Sequence, residues 1–391
     1  MMPFNRRFFI KATSATILPA LIPFSSVLAS GVNNEKDLPP GTPIIKLYGD
    51  GEMFEPGDYL NELQKLHAES PIVRDRYGSG GAVEALEKKL ADIMGKEKAI
   101  YMLSGTMANQ LAISVLSGEN TKVFVQDTSH VYRDEADAAQ SVFQKRLMPL
   151  AKGETFFTAE ELKKAVETMP EEEVFKSGIG VVSIENPVRR TDGRYVPIEE
   201  IRKISAYCRS NNIRLHMDGA RIFMASAWSG VSVKEYASHF DTVYISLYKY
   251  LGASGGAVLC GDKAVIDKMP HLIKVHGGSM YGNWANAAMA LNRLDGIAIR
   301  LQYAIKRANE IITELNKLPT IKINAILGGT NIYNVQLEKE TDGKKFQETL
   351  NKQYNIRMPR PDEKNHTQLT VNETILYQSA EYVIDAFKKS L

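Results

Sequence analysis

An acid and a lysine, thirty-one residues apart, stand at the ends of two apolar runs. Asp218 lies in His216-Met217-Asp218-Gly219-Ala220-Arg221, at the end of the run that starts at Ile213. Lys249 lies in Ser246-Leu247-Tyr248-Lys249-Tyr250-Leu251-Gly252-Ala253, after the run Thr242 to Leu247. Short apolar runs rich in β-branched residues predict buried strands. A carboxylate and an amine held at two strand ends are what pyridoxal 5'-phosphate needs. The amine forms a Schiff base with the aldehyde, and the acid keeps the pyridine nitrogen protonated so that the ring withdraws electrons. Each residue alone has a plainer reading: Asp218 as a cap of the Gly219-Ala220 turn, and Lys249 as a solvated cation. Their pairing favours the chemistry. So do the absence of an acid beside Lys249 and the glycine-rich continuation Gly252-Ala253-Ser254-Gly255-Gly256, which lets backbone approach a ligand closely.

Two further segments belong with this pair. Ser104-Gly105-Thr106 separates a strand pattern from a helix pattern, where backbone N–H groups and a hydroxyl can cradle a phosphate, or where Ser104 is an ordinary helix cap. His130, in Asp127-Thr128-Ser129-His130-Val131-Tyr132, is placed to stack on a flat ring, with a core or surface histidine as the alternative.

The elements that must carry these residues alternate. Strand patterns are predicted at 43–47, 99–103, 122–125, 180–184, 213–217, 242–247 and 256–260, and helix patterns at 82–94, 107–116, 157–169 and 199–211. The charge run Glu171 to Glu173 predicts a solvated turn. Alternating strands and helices imply an α/β architecture: a mostly parallel sheet covered on both faces, with ligands outside the carboxyl ends of the strands. Ser104, His130, Glu185-Asn186, Asp218 and Lys249 all fall at or just after strand ends. From Ala285 the pattern predicts one long helix to about Leu318, then strands at 321–326, 330–337 and 368–371 and helices at 344–354 and 379–390, a smaller α+β domain. The expected division is a leader at 1–29, an arm at 30–57, a cofactor-binding large domain at 58–285 and a small C-terminal domain at 286–391.

The 391 residues allow a large core, and a formal charge of +2 gives no reason to expect nucleic acid or an anionic membrane as a partner. The N-terminus carries Arg6-Arg7 before an uncharged, moderately apolar stretch from Ala12 to Ala29, closing on Val27-Leu28-Ala29. It resembles a twin-arginine export signal, with a retained anchor as the alternative, so the expected location is periplasmic with the signal removed and no membrane attachment thereafter. Cys208 and Cys260 have no metal-ligand spacing and are read as free, buried thiols; no metal is expected.

Together, Tyr77-Gly78, Ser104-Gly105-Thr106-x-Ala108-Asn109, His130, Glu185-Asn186, His216-x-Asp218-Gly219-Ala220-Arg221 and Ser246-x-x-Lys249 resemble the threonine aldolase and aromatic amino acid beta-eliminating lyase family. The resemblance runs in order from about Leu47 to Gly282. It implies pyridoxal 5'-phosphate fold type I, with a seven-stranded, mostly parallel sheet in the large domain. It further implies that Lys249 holds the cofactor, Asp218 contacts the pyridine nitrogen and His130 stacks on the ring. Gly105 and Thr106 hold the phosphate, Arg221 sits near the cofactor, and Ser104, Glu185 and Ser246 are further cofactor-binding candidates. Asp50, Tyr77 and Arg221 are candidates for the substrate. Lys274, Gly277-Gly278-Ser279-Met280 and Tyr281 match a stretch that reaches a neighbouring subunit's site in a homodimer or homotetramer.

The departures lie at the substrate end. The family's Arg-Ser-Asp-Thr reads Tyr48-Gly49-Asp50-Gly51 here, which removes a serine hydroxyl. Its Thr-His after Glu-Asn reads Pro187-Val188, followed by Arg189 and Arg190. Its late carboxylate-clamping arginine falls near Gln368, with Arg357 and Arg360 as possible substitutes. The expected function is retro-aldol cleavage of a β-hydroxy amino acid of the threonine or allo-threonine type, to glycine and an aldehyde. With no histidine at position 188, the base is His130, a cofactor phosphate oxygen or a water. The alternatives are β-elimination, racemisation or transamination of another amino acid, or binding without turnover.

Overall fold

The computed structural model describes residues 42–174 and 176–391. The expected export signal and the arm up to residue 41 lie outside the described residues. The central sheet has seven strands in the order Lys98–Met102, Ala257–Gly261, Thr242–Ser246, Arg214–Asp218, Ile179–Glu185, Lys122–Gln126 and Arg146–Leu150. Ala257–Gly261 runs antiparallel to both its neighbours, and every other pairing is parallel. This is the mostly parallel α/β sheet that the alternation implies. Lys122–Gln126, Thr242–Ser246 and Ala257–Gly261 are buried at every residue, as expected of strands covered on both faces.

The directions of the strands bring the chemistry to one edge. The carboxyl ends of Lys98–Met102, Lys122–Gln126, Ile179–Glu185, Arg214–Asp218 and Thr242–Ser246 lie along it, and so does the start of the antiparallel strand, because Ala257 pairs with both Met102 and Ser246. The turns at 103–106 and 254–256 are therefore neighbours.

Several boundaries have local causes. The helix Gly105–Ser117 starts where the Ser104 side chain accepts from the Met107 amide. The helix Ala159–Glu172 opens on a capping box made by Thr158 and Glu161. It continues through Pro170 to Glu172, so helix replaces most of the turn expected at Glu171 to Glu173. The single helix expected from Ala285 is two, Trp284–Leu294 and Ile297–Leu315. The chain turns between them at Gly296, whose φ of 67° suits a residue with no Cβ. Arg146–Leu150 was not expected as a strand because Pro149 cannot donate to a ladder; it is tolerated since this strand lies at the sheet edge.

A second apolar core gathers Ile45 and Leu47 with Leu315, Ile323, Val335, Phe346, Leu369 and Phe387. Around it lie a three-stranded antiparallel sheet (Ile321–Ala325, Ile332–Leu337, His366–Thr370) and the helices Gly343–Tyr354 and Ala380–Ser390. Ile45–Lys46 pairs in parallel with Ile356–Arg357, so the described part of the arm packs with the C-terminal elements and then runs to Asp50. Both cysteines are free and buried. Among the described residues no helix is long and apolar enough to cross a membrane.

Candidate active site

A pocket at the carboxyl edge of the large sheet is lined by Ser104, Gly105 and Thr106, by His130 and Glu135, by Glu185, Asp218, Ala220 and Arg221, by Tyr244, Tyr248 and Lys249, and by Ser254, Gly255 and Gly256. The structure thus brings together most of the residues singled out at strand ends. Ser246, at the end of its strand, is fully buried and is not among the lining residues.

Among the described residues Lys249 is the only lysine of the lining. It is 8% exposed and its amine makes no ion pair with a described residue; Nζ lies 5.2 Å from the centroid of the Tyr248 ring. Asp218 is also buried. Its Oδ1 accepts from the Ala220 amide at 3.1 Å and its Oδ2 from Asn109 Nδ2 at 2.8 Å. Behind it His216 is completely enclosed, and burial pushes its imidazole down to about 4, so it is neutral. Glu185 is pushed up to about 7 by burial and by the Asp218 charge. Its two oxygens accept from the His130 and Arg189 amides at 2.7 and 2.9 Å.

Arg221 is committed on one side. Its Nε and Nη2 donate to the two Asp50 oxygens at 2.6 and 2.8 Å, a two-point pairing. Burial opposes its charge, and the Asp50 contacts more than offset this, so the guanidinium is held above its ordinary value. The backbone of Asp50 is held in turn by the Tyr250 amide.

The remaining candidates do not line the pocket. Tyr77, Tyr281 and Lys274 form an exposed cluster of their own: the two rings meet edge to face at 5.4 Å, and Lys274 Nζ lies 5.3 Å from the Tyr77 ring. Arg357 sits on the short strand that pairs with Ile45–Lys46, and Arg360 is turned to Glu348 at 3.7 Å. Gln368 lies in the three-stranded sheet opposite Asn334. Val188 is fully buried and is not among the lining residues.

Tests of fit favour pyridoxal phosphate. The phosphate end needs close backbone, and a Cβ on Gly105 would sit 2.1 Å from the Tyr244 hydroxyl oxygen, while one on Gly256 would sit 2.5 Å from that of Tyr101. Only glycine allows those turns to close in. The open N-terminus of the helix Gly105–Ser117 supplies amides there. Asp218 and Lys249 line the same pocket as these turns. Ser104 itself plays the cap role.

Sequence reasoning passed over Glu135, Tyr244 and Tyr248 in this pocket. Glu135 had only one signal, its place five residues after His130 in an acidic run.

The chain matches the family described as beta-eliminating lyase over residues 61–338. It is similar to a low-specificity L-threonine aldolase of Candida albicans, 36% identical over 228 residues, 58% of this chain and 60% of that protein. The Saccharomyces cerevisiae low specificity L-threonine aldolase is 32% identical over 233 residues, 59% of each chain. The matches therefore span about three-fifths of these relatives' length. Among solved structures, the Leishmania major threonine aldolase superposes with a TM-score of 0.66 at 16% identity, covering 88% of this chain and 98% of that one.

Proposed function

The chain belongs to the beta-eliminating lyase family and has the pyridoxal-phosphate fold type I, and from that premise we propose that it is a pyridoxal-phosphate-dependent carbon–carbon lyase of the threonine aldolase type. The substrate is a β-hydroxy amino acid of the threonine or allo-threonine kind, and the products are glycine and an aldehyde. Bound pyridoxal phosphate supplies an electron sink next to the substrate Cα. Lys249 holds it and Asp218 keeps its ring nitrogen charged. His130 covers the ring, and Gly105, Thr106 and Ser246 receive the phosphate. Arg221, steadied by Asp50, has Nη1 left to meet a carboxylate.

The observation that carries the aldol reading is that His130 is the only imidazole in the lining among the described residues, held by a buried carboxylate on Nδ1. Its Nε2 has no partner among the described residues and can take the proton from the β-hydroxyl as the Cα–Cβ bond breaks. The experiment is an assay of the purified protein loaded with pyridoxal phosphate, on L-threonine and L-allo-threonine. Acetaldehyde and glycine in equal amounts are expected. Pyruvate, ammonia, an inverted enantiomer or an oxo acid in their place would move the reading to elimination, racemisation or transamination. A spectral response with no product would move it to binding alone. We propose a homodimer or homotetramer as the working form, supported by the exposed cluster of Tyr77, Tyr281 and Lys274. Full activity in a fraction of single-chain mass would overturn that.

We also propose that the protein is exported through the twin-arginine route, on the strength of Arg6-Arg7 and the uncharged stretch after it. That route carries folded proteins, so the cofactor can be loaded before transport. Removing residues 1–29 takes away three positive charges and no negative ones, leaving the mature chain slightly acidic. Cell fractionation is expected to find a shortened chain outside the inner membrane. Full-length protein in the cytoplasm is the contrary result.

A further inference from the structure

Glu135 is buried, its side chain 2% exposed, yet it sits in none of the strand-end motifs. Its Oε1 accepts from two donors, His130 Nδ1 at 2.9 Å and Asn109 Nδ2 at 2.7 Å. The same Asn109 nitrogen reaches Asp218 Oδ2 at 2.8 Å. Two carboxylates around one amide settle its orientation: the NH2 faces them and the carbonyl faces His216 Nε2, 2.9 Å away. His216 therefore carries its proton on Nε2, and its Nδ1 accepts from the Thr242 hydroxyl at 2.8 Å. An unbroken buried chain of hydrogen bonds thus runs from Thr242 through His216 and Asn109 to both carboxylates, and ends on His130.

The backbone around His130 is held separately. The His130 amide donates to Glu185, and Asp134 takes Arg189 Nη2 at 2.9 Å and Arg190 Nε at 3.0 Å. The only thing Glu135 gives His130 is therefore its imidazole: which nitrogen carries the proton, and which way the ring turns. A carboxylate on Nδ1 keeps the proton there and leaves the Nε2 lone pair free.

We propose that Glu135 is a positioning residue that holds His130 as the Nδ1–H tautomer with Nε2 as the available base, and that Asn109 ties this carboxylate to Asp218 so that base and electron-sink acid are set by one network. This deepens the aldolase reading and rests on His130 as its base. The charged groups around the imidazole are Glu135 on its own segment, Asp218 and Glu185 at neighbouring strand ends, and Arg221 and Lys249 in the same pocket. The Glu135 hydrogen bond is the largest of the influences that raise its proton affinity above the ordinary histidine value.

The test pairs Glu135→Gln, which keeps size and an acceptor but removes the charge, with Glu135→Ala. NMR titration of the His130 imidazole in the full chain, with and without pyridoxal phosphate, is read first; His130→Asn assigns the signal. In Glu135→Gln the His130 titration is expected to fall by about one pH unit, since the charge that favoured the protonated form is gone. The base works deprotonated, so the acidic limb of kcat/KM moves to lower pH by the same amount. Turnover is expected to drop about tenfold in Glu135→Gln and about 10²-fold in Glu135→Ala, with KM within about twofold. A merely structural Glu135 would leave the His130 titration and the limb where they are, and that result overturns the proposal. So does a Glu135→Ala protein with wild-type kcat. If Glu135→Ala does not fold, Glu135→Gln decides alone. The titration needs no turnover: a shift in a protein without retro-aldol activity keeps the positioning role and removes the aldolase reading, and no shift in an active one does the reverse.

Discussion

Lys249→Ala is expected to abolish the visible band of the lysine-bound cofactor and to lower turnover at least about 10³-fold, on the order of 4 kcal/mol of barrier. Among the described residues no other lysine lines the pocket, and Arg221 is bound to Asp50 on two of its nitrogens, so none of them offers a replacement amine. The variant should nevertheless fold. The Lys249 amine makes no ion pair with a described residue, and its contact is the face of the Tyr248 ring. Truncation therefore removes a buried amine without orphaning an ion-pair partner, which is the costly outcome when a paired charge is cut. Thermal unfolding within a few degrees of the wild type, together with the lost band, separates the loss of chemistry from the loss of structure. Persistence of the band in Lys249→Ala would refute the assignment of the lysine.

Where sequence succeeded and where it failed follows from geometry. Asp218, Lys249, His130 and Ser104 could be placed because each stands just after a strand pattern, and a parallel sheet gathers its carboxyl ends at one edge. The helix starting at Gly105 was readable from its cap. Contacts between distant segments were not readable. Ile45–Lys46 finds its partner at Ile356–Arg357, near the other end of the chain, and nothing local specifies that pairing. Arg357 and Arg360 looked like replacements for a lost clamp because an arginine's charge is visible in sequence while its direction is not; one lies on that short strand and the other turns to Glu348. Glu135 was passed over for the same reason. Its importance comes from Asn109 and His130, which reach it from a helix and a strand-end turn, and an acidic residue in an acidic run normally reads as solvated. The network also explains why His216 and Thr242 are polar at fully buried positions: they sit opposite each other in the register of adjacent strands and complete the amide's partners.

Asp218→Asn is expected to lower turnover about 10² to 10³-fold while the lysine-bound cofactor band survives. Both oxygens of Asp218 accept from donors in the structure, Oδ1 from the Ala220 amide and Oδ2 from Asn109. An asparagine must place its NH2 against one of them. If it faces Ala220, two N–H groups oppose each other in a buried site; if it faces Asn109, that amide is driven from its place between Glu135 and His216. Either arrangement leaves a buried donor unsatisfied, at a cost of about 1–3 kcal/mol. The chemical loss is larger than this structural one. A neutral amide no longer favours a proton on the pyridine nitrogen, so the ring accepts electrons poorly even when it is seated and covered by His130. Lys249 still holds the cofactor and the glycine turns still receive its phosphate, so affinity should fall much less than kcat. Measuring kcat and cofactor affinity on the same preparation tests this split. Turnover within tenfold of the wild type would show that Asp218 is not the partner of the ring nitrogen. Equal losses in affinity and turnover would assign Asp218 to the structure of the pocket, through Asn109, rather than to the charge on the ring.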